Sequence, residues 1–450
     1  MIGMLFKQTP QGNETNAGFS GRNATPIEDG IALRLLIHER LLDLLNLSVL
    51  EKTPRENLRV EIRTVVGQLL QQEKRLLTPS QTEQLTEDVL DELLGLGPLE
   101  PLLKDHTIND ILINTHNSVY VERNGRLEKT DVHFQDSRHL IRIINKIVAA
   151  VGRRVDESQP MVDARLADGS RVNAVIPPLA VDGPLVSIRK FAAVPIHMGR
   201  LIELHSASPE IAQLLQAIVK CRRNVLISGG TGSGKTTLLN ALSAFIDNRE
   251  RIVTIEDSAE LQLQQPHVCR LETRPENIEG RGEVTQRELV KNSLRMRPDR
   301  IILGEVRSGE AFDMLQAMNT GHDGSMTTVH ANTPRDALSR VEQMIGMAGL
   351  DISPRSIRQQ IASAINVVVQ TERQEDGRRR IVSVSEITGM EQDVISMQEI
   401  FRFRRRGVDK DGTIRGDFEA TGIRPQLMEV VSARGIDIGG LSFMPTKRAP

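Results

Sequence analysis

The chain has 450 residues, 39% of them hydrophobic, and a formal net charge of −2, which suits two or three ordinary globular cores and gives no overall basic character that would demand a polyanionic partner. Aromatic residues are only 2%, with no Trp and one Tyr, so stacking platforms for single-stranded nucleic acid are hard to assemble and no direct nucleic-acid binding is expected. The two cysteines, Cys221 and Cys269, provide neither a disulfide framework nor a metal cluster, which suits a reducing cytoplasm, and no stretch approaches the roughly 18 apolar residues that cross a bilayer.

In chain order, residues 1–28 are polar and Gly-rich and read as a disordered tail. Residues 29–97 carry apolar residues at helical spacing and read as a small helical bundle. One amphipathic stretch begins at Ile31, a second runs from about Pro54 to Gln72 with Leu58, Ile62, Val65, Val66 and Leu69 on one face, and a third runs from about Ser80 to Leu94. Gly95-Leu96-Gly97-Pro98 ends the bundle. Residues 98–194 then read as an α+β domain. Short strands at 110–113 and 119–122 precede a turn at Asn124-Gly125, an amphipathic helix follows over 136–151, a second hairpin turns at Asp168-Gly169, and a strand closes the domain at 185–191. Residues 195–204 read as a linker. Over 205–390 strands at 225–228, 251–255, 301–303, 326–329 and 366–370 alternate with helices, the pattern of a parallel sheet covered on both faces. Thr285 with Glu288 forms a capping-box signature, and Thr333-Pro334 and Ser353-Pro354 mark two further helix starts. Residues 391–450 read as a C-terminal extension. Its run Arg402 to Arg406 is open to two readings, a solvated edge or a contact with anionic lipid.

Residues 229–236 read Gly-Gly-Thr-Gly-Ser-Gly-Lys-Thr and match the phosphate-loop pattern G-x-x-x-x-G-K-[ST]. Gly229, Gly230, Gly232 and Gly234 let the backbone approach a phosphate, and with Thr231 and Ser233 they place N–H groups around an anion. Lys235 supplies a charge to the β- and γ-phosphates, Thr236 offers a hydroxyl to Mg²⁺, and Thr237 begins the helix whose N-terminus holds the anion. An apolar strand precedes the loop. A dinucleotide fold is excluded, because its G-x-G-x-x-G pattern needs Gly where Lys235 stands.

Hydrolysis needs more than a cradle: a metal anchor, a carboxylate to position water, and positive charge for the transition state. Ligands of open α/β sheets sit at the carboxyl ends of the strands. There Glu305 follows Ile301-Ile302-Leu303-Gly304, as an acid that reaches Mg²⁺ directly or through water, and Glu256 and Asp257 follow Val253-Thr254-Ile255, either of which could orient the attacking water. His322 and His330 bracket the strand at 326–329 and read as sensors of the γ-phosphate. Arg270, Arg274 and Arg281, and again Arg295, Arg297, Arg300 and Arg307, form either a solvated basic face or a source of charge for the phosphates, within one subunit or across an interface.

These residues resemble those of the secretion and pilus-assembly ATPases of the type II/IV secretion family. Gly229 to Thr236 is similar to its Walker A box, Thr254 to Leu261 to its aspartate box, Arg300 to Arg307 to its Walker B box, and Thr320-Gly321-His322 through Thr328-Val329-His330-Ala331 to its histidine box. The segments Ser158 to Leu166, Asp168 to Asn173, Pro177 to Ala180, Ser187 to Phe191, Met296 to Arg300 and Met314 to His322 resemble the CpaF type, the motor of Tad/Flp pili. The resemblance implies a RecA-like motor domain behind a PAS-like α+β domain, a ring-shaped homo-hexamer, and ATP with Mg²⁺ held between the two domains. It implies that Glu256 is a catalytic base, that Glu305 assists metal or water, that His322 and His330 sense the γ-phosphate, that Arg270 and Arg274 serve the transition state, and that Arg189 approaches the nucleotide. It also implies inner-membrane platform proteins as partners, pilin as an indirect one, and a cytoplasmic position at the inner face of the bacterial inner membrane. A type IV secretion ATPase that translocates DNA or effector protein is the alternative; a nucleotide switch without turnover and a small-molecule kinase are rivals of other classes.

Overall fold

The computed structural model describes residues 37, 40, 55–123, 125–191, 196–276 and 281–445. The tail expected over residues 1–28, most of the helix expected from Ile31, and Asn124 of the first hairpin turn lie outside them. The chain forms two compact units, Met1–Ala192 and Ala193–Pro450.

In the first unit, helices α1 (Arg55–Gln72) and α2 (Pro79–Leu94) bury the stripe that the sequence places at helical spacing: Leu58, Ile62, Val66, Leu85, Val89 and Leu90 share one core with Ile37. α2 starts on a capping box, in which Thr78 accepts the Gln81 N–H and the Gln81 side chain accepts the Thr78 N–H, with Pro79 at the first helical position. A short helix, α3 (Glu100–Lys104), leads into a six-stranded antiparallel sheet. Its strands are β1 (Ile108–Thr115), β2 (Ser118–Arg123), β3 (Arg126–Lys129), β4 (Met161–Arg165), β5 (Arg171–Val175) and β6 (Leu185–Arg189), in the order β3-β2-β1-β6-β5-β4. Helix α4 (Ser137–Ala150), capped by Asp136, packs Leu140, Ile143, Ile144 and Ile147 into one core with Ile111, Ile113, Val121, Val186 and Ile188. The expected turns are present: Gly125 and Gly169 take φ of +80° and +91°, and the Asp168 carboxylate accepts both the N–H and the hydroxyl of Ser170.

The second unit opens with α5 (Met198–Glu203) and α6 (Pro209–Lys220) and is built on a nine-stranded sheet. Six parallel strands run in the order β12-β7-β11-β10-β8-β9: β7 (Val225–Gly229), β8 (Ile252–Glu256), β9 (Val268–Glu272), β10 (Arg300–Leu303), β11 (Met326–Val329) and β12 (Val367–Arg373). Every residue of β7, β8, β10 and β11 is buried, as expected of strands covered on both faces. Helices α6 and α7 (Lys235–Ser243) share a core on one face. On the other, α8 (Gln286–Ser293), α9 (Glu310–Asn319), α10 (Pro334–Met347) and α11 (Pro354–Ala364) share a second. Thr285, Thr333 and Ser353 each accept an N–H from the first turn of the helix they begin, as the sequence signatures predict.

The sheet continues past the parallel strands. Three long antiparallel strands, β13 (Arg379–Glu391), β14 (Val394–Val408) and β15 (Ile414–Ala420), extend it beyond β12, and α12 (Leu427–Ala433) follows. The arginine run lies on β14 and is matched by acids: Arg402, Arg404 and Arg406 reach Glu419, Arg406 also reaches Asp417, and Arg405 pairs with Glu375. This favours the solvated-edge reading of the run. Among the described residues no helix is long and apolar enough to cross a membrane.

Candidate functional site

The phosphate loop joins β7 to α7. Gly232 and Gly234 take φ of +66° and +95°, a left-handed region that an L side chain resists, so glycine is required at both positions. Gly229 is required for a different reason: a Cβ there would stand 2.4 Å from Ser233 Oγ and 2.5 Å from the Thr371 carbonyl. Lys235 is buried at the start of α7, and its ammonium donates to the carbonyls of Gly229 at 3.0 Å and Gly230 at 2.9 Å. Thr231 is exposed, and Thr236 and Thr237 are half-buried on the first turn of the helix.

The carboxyl ends of the neighbouring strands bring the other groups to the loop. His330, one residue past β11, holds its ring nitrogens 3.3 Å from the Lys235 ammonium, and its Nε2 lies 3.0 Å from Glu305 Oε1. Glu305, two residues past β10, accepts a hydrogen bond of 2.9 Å from Arg307 Nη2, and Arg307 reaches Asp257 at 3.6 Å. Burial holds His330 below its ordinary value; Glu305 opposes this, and Lys235 and Arg307 add to it. Its ring is therefore neutral near pH 7. The bond to Glu305 holds Arg307 above its ordinary value.

Glu256 ends β8 and is 3% exposed. Its Oε2 accepts the N–H groups of Glu260 at 2.8 Å and Leu261 at 2.9 Å, while Oε1 has no hydrogen-bond partner among the described residues. Burial pushes the carboxyl up to about 7, against the two backbone N–H groups and the charge of Arg270, which pull it down. A buried acid balanced at neutral pH with one free lone-pair face has the chemistry of a general base. Room for it comes from Gly304: a Cβ there would stand 2.9 Å from Glu256 Cγ. Of the two acids left open after β8, Asp257 is the more exposed and pairs with Arg307.

Other expected residues fall elsewhere. His322 precedes β11, at the amino ends of the strands, where its Nδ1 lies 3.2 Å from the Ala317 carbonyl. A four-residue strand separates it from His330, so the chain does not bring the two histidines together. The expectation that both flank the γ-phosphate fails within one subunit, because bracketing a strand puts residues on opposite edges of a sheet. Arg300 is 1% exposed and bonded to Glu250, Val219 and Gly324; it is a buried strut, not a phosphate ligand. Arg270 lies exposed on the edge strand β9 and donates to the Ala259 carbonyl. Arg274 lies just past β9 and donates to the Gly282 carbonyl at 2.6 Å. Arg189 belongs to the first unit, on β6, where its Nε lies 3.4 Å from Asp110.

Four residues at the site escape the motif reading, all on β12 and β13. Gln370 donates to the Ala331 and Asn332 carbonyls, each at 3.1 Å, and so holds the turn that carries His330. Thr371 Oγ1 donates to the Ser228 carbonyl at 3.1 Å and lies 2.9 Å from Ser233 Oγ. Arg373 and Arg379 lie against the loop glycines. The one available signal was position, since β12 is the parallel neighbour of the loop strand and its end must reach the loop.

The chain matches the family described as "Type II/IV secretion system protein" over residues 92–392. A Mycobacterium tuberculosis protein whose name assigns it to conjugal transfer is 40% identical over 300 residues, covering 65% of this chain and 85% of that protein. The type IV secretion system protein VirB11 of Bartonella quintana is 33% identical over 338 residues, covering 66% of this chain and 93% of its own. The crystal structure of the VirB11 ATPase of Brucella suis is 30% identical and covers 64% of this chain and 95% of its own, with a TM-score of 0.35. Residues 92–392 include the phosphate loop, Glu256, Glu305 and His330, and on this match the chain belongs to the type II/IV secretion system protein family.

Proposed function

We propose that this chain is an ATP-hydrolysing motor of a secretion or pilus machine. The observation that carries the reading is the convergence, at the ends of adjacent parallel strands, of a buried Lys235 in a glycine loop, a His330–Glu305 pair in contact with it, and Glu256 buried with one lone-pair face free. In this reading the amides of Gly230 to Thr237 and the Lys235 ammonium grip the triphosphate. The Thr236 hydroxyl and the Glu305 carboxylate are hard oxygen donors of the kind Mg²⁺ takes alongside phosphate oxygens, so they fit that ion. Glu256 orients and deprotonates the attacking water, and neutral His330 joins Glu305 to the γ-phosphate. Arg270 and Arg274 supply charge for the transition state, and Arg189 and His322 act on a nucleotide if neighbouring units or subunits carry them to it.

At the level of the machine, the segments at 158–191, 296–300 and 314–322 support a Tad/Flp pilus motor of the CpaF type. Such a motor is a homo-hexamer that works through inner-membrane platform proteins on pilin. The names of the relatives in conjugal transfer and type IV secretion support the second reading, a motor that translocates DNA or effector protein. ATP turnover by the purified full-length protein tests the common core. Wild type should turn over ATP, and Lys235→Ala, Glu305→Ala and Glu256→Gln should each lower kcat by roughly 10² or more. A folded wild type without turnover in every oligomeric state would leave only the nucleotide switch. Co-purification of platform proteins, as against a relaxase and coupling protein, separates the two machines.

A further inference from the structure

The outer side of the phosphate loop is covered by the end of the β12–β13 hairpin. Arg373 and Arg379 stand directly opposite one another in its antiparallel ladder. Arg379 Nε donates to the Gly232 carbonyl at 2.8 Å, and its Cδ lies 3.6 Å from the place a side chain on Gly234 would take. Arg373 Nη1 lies 3.6 Å from the corresponding place on Gly232. Like charges directly opposite in a ladder repel. This pair is tolerated at the one point of the fold where two glycines in left-handed conformation turn N–H groups inward to hold an anion. The hydrogen bond to Gly232 has a directional consequence. A planar trans peptide points its C=O and N–H to opposite sides. With the Gly232 carbonyl held outward by Arg379, the Ser233 N–H points to the inside of the loop, where it meets the Gly230 carbonyl at 3.4 Å. Ser233 is held from the same hairpin through Thr371.

We propose that Arg373 and Arg379 form a same-chain guanidinium clamp on the phosphate chain of the bound nucleotide. Arg379 is its positioning residue, which fixes the amides of the loop, and Arg373 is its binding residue, which adds charge beside them. The clamp rests on reading the site as a nucleotide site. It differs from an arginine that approaches across a subunit interface, since it is already against the loop of its own chain. It also joins nucleotide occupancy to the antiparallel strands β13 to β15, because the residues that meet the phosphates are the first turn of that extension.

The test is titration calorimetry of the full-length protein with MgATP and MgADP, together with thermal melting with and without nucleotide. Arg373→Gln and Arg379→Gln should each weaken MgATP binding by about tenfold or more, as expected for loss of a charge-assisted contact to phosphate. Arg379→Lys should recover part of the loss, since an ammonium can still donate to the Gly232 carbonyl. In the absence of nucleotide, Arg373→Gln should melt at the wild-type temperature or above it, because a repulsive pair is relieved, while its stabilisation by MgATP shrinks. That opposition of sign separates a phosphate clamp from a merely structural arginine. An Arg373→Gln/Arg379→Gln variant that binds MgATP within twofold of wild type would remove the clamp alone. An Arg373→Gln variant whose nucleotide-free melting point falls in step with its affinity would make the pair structural and also remove the clamp. Absence of binding by wild type would remove the nucleotide reading, and the clamp with it.

Discussion

Glu256 shows how one side chain can set both a rate and a stability. Its carboxyl is pushed from an ordinary 4.5 up to about 7 by burial. The unfolded chain releases this proton near its ordinary value, whereas the folded chain keeps it until about 7. Between those values the folded state binds more protons than the unfolded one, so stability falls as pH rises through the window and levels off above it. The total is about 3 kcal/mol. Glu256→Gln can keep the acceptor for the Glu260 and Leu261 N–H groups, and it removes the titration. The variant should be the more stable protein at pH 8 and should lose the slope between pH 5 and 7, while turnover disappears. Denaturant unfolding at several pH values checks this, and a variant as pH-dependent as wild type would contradict it. In wild type, kcat should rise across a group near neutrality on its acid limb. Gly304 offers a second check. An alanine there brings a methyl to 2.9 Å from Glu256 Cγ. Overpacking of this kind costs about 1–3 kcal/mol, and here it displaces the base. Gly304→Ala should therefore fold and lose far more turnover than stability.

Elements with a physical signature in the sequence were legible from it. Strands β7, β8, β10, β11 and β12 are apolar runs in an alternating pattern, and all five stand close to where those runs place them. The starts of α8, α10 and α11 were readable because an N-cap hydroxyl is a local device. Thr333 accepts the Asp336 N–H at 3.1 Å; Thr333→Ala should cost about 1 kcal/mol in a thermal or denaturant melt. What was not legible is non-local. Phe401-Arg402-Phe403-Arg404 alternates with the period of a strand, yet its exposed positions carry charges that drew attention as an arginine cluster. Val268 to Glu272 alternates in the same way and was read only as basic. The partners of these strands, β15 and β8, are distant in sequence or separated by a loop, and no local pattern announces such pairing. The misplacement of His322 has the same root. A motif records order along the chain, whereas the catalytic edge of the sheet is defined by strand direction. Glu256, Glu305 and His330 were recoverable because each follows its strand; Gln370, Thr371, Arg373 and Arg379 were missed because a strand end beside the loop carries no box of its own.

For the whole molecule, the two site arginines divide according to how far they lie from the base of their own chain. Arg270 pairs in register with Thr254 on β8, so its side chain stands on the same face as Glu256, and its charge acts on that carboxyl within the chain. Arg274 lies one turn further, past the edge strand, and is exposed. An edge is where a closed ring of identical chains places a neighbour. If Arg274 serves the next subunit's nucleotide, activity lost with Arg274→Ala and activity lost with Lys235→Ala reside in different subunits, and mixing the two inactive proteins should restore turnover. In a randomly mixed ring at equal amounts, about a quarter of the sites pair an intact loop with a neighbour's intact arginine, so about a quarter of wild-type turnover is the ceiling. Mixing Arg270→Ala with Lys235→Ala should restore nothing, because Arg270 tunes the base of its own chain and no neighbour can replace it. Recovery in both mixtures would place both arginines across the interface, silence in both would place both within the chain, and a fully active Arg274→Ala protein would take that residue out of catalysis.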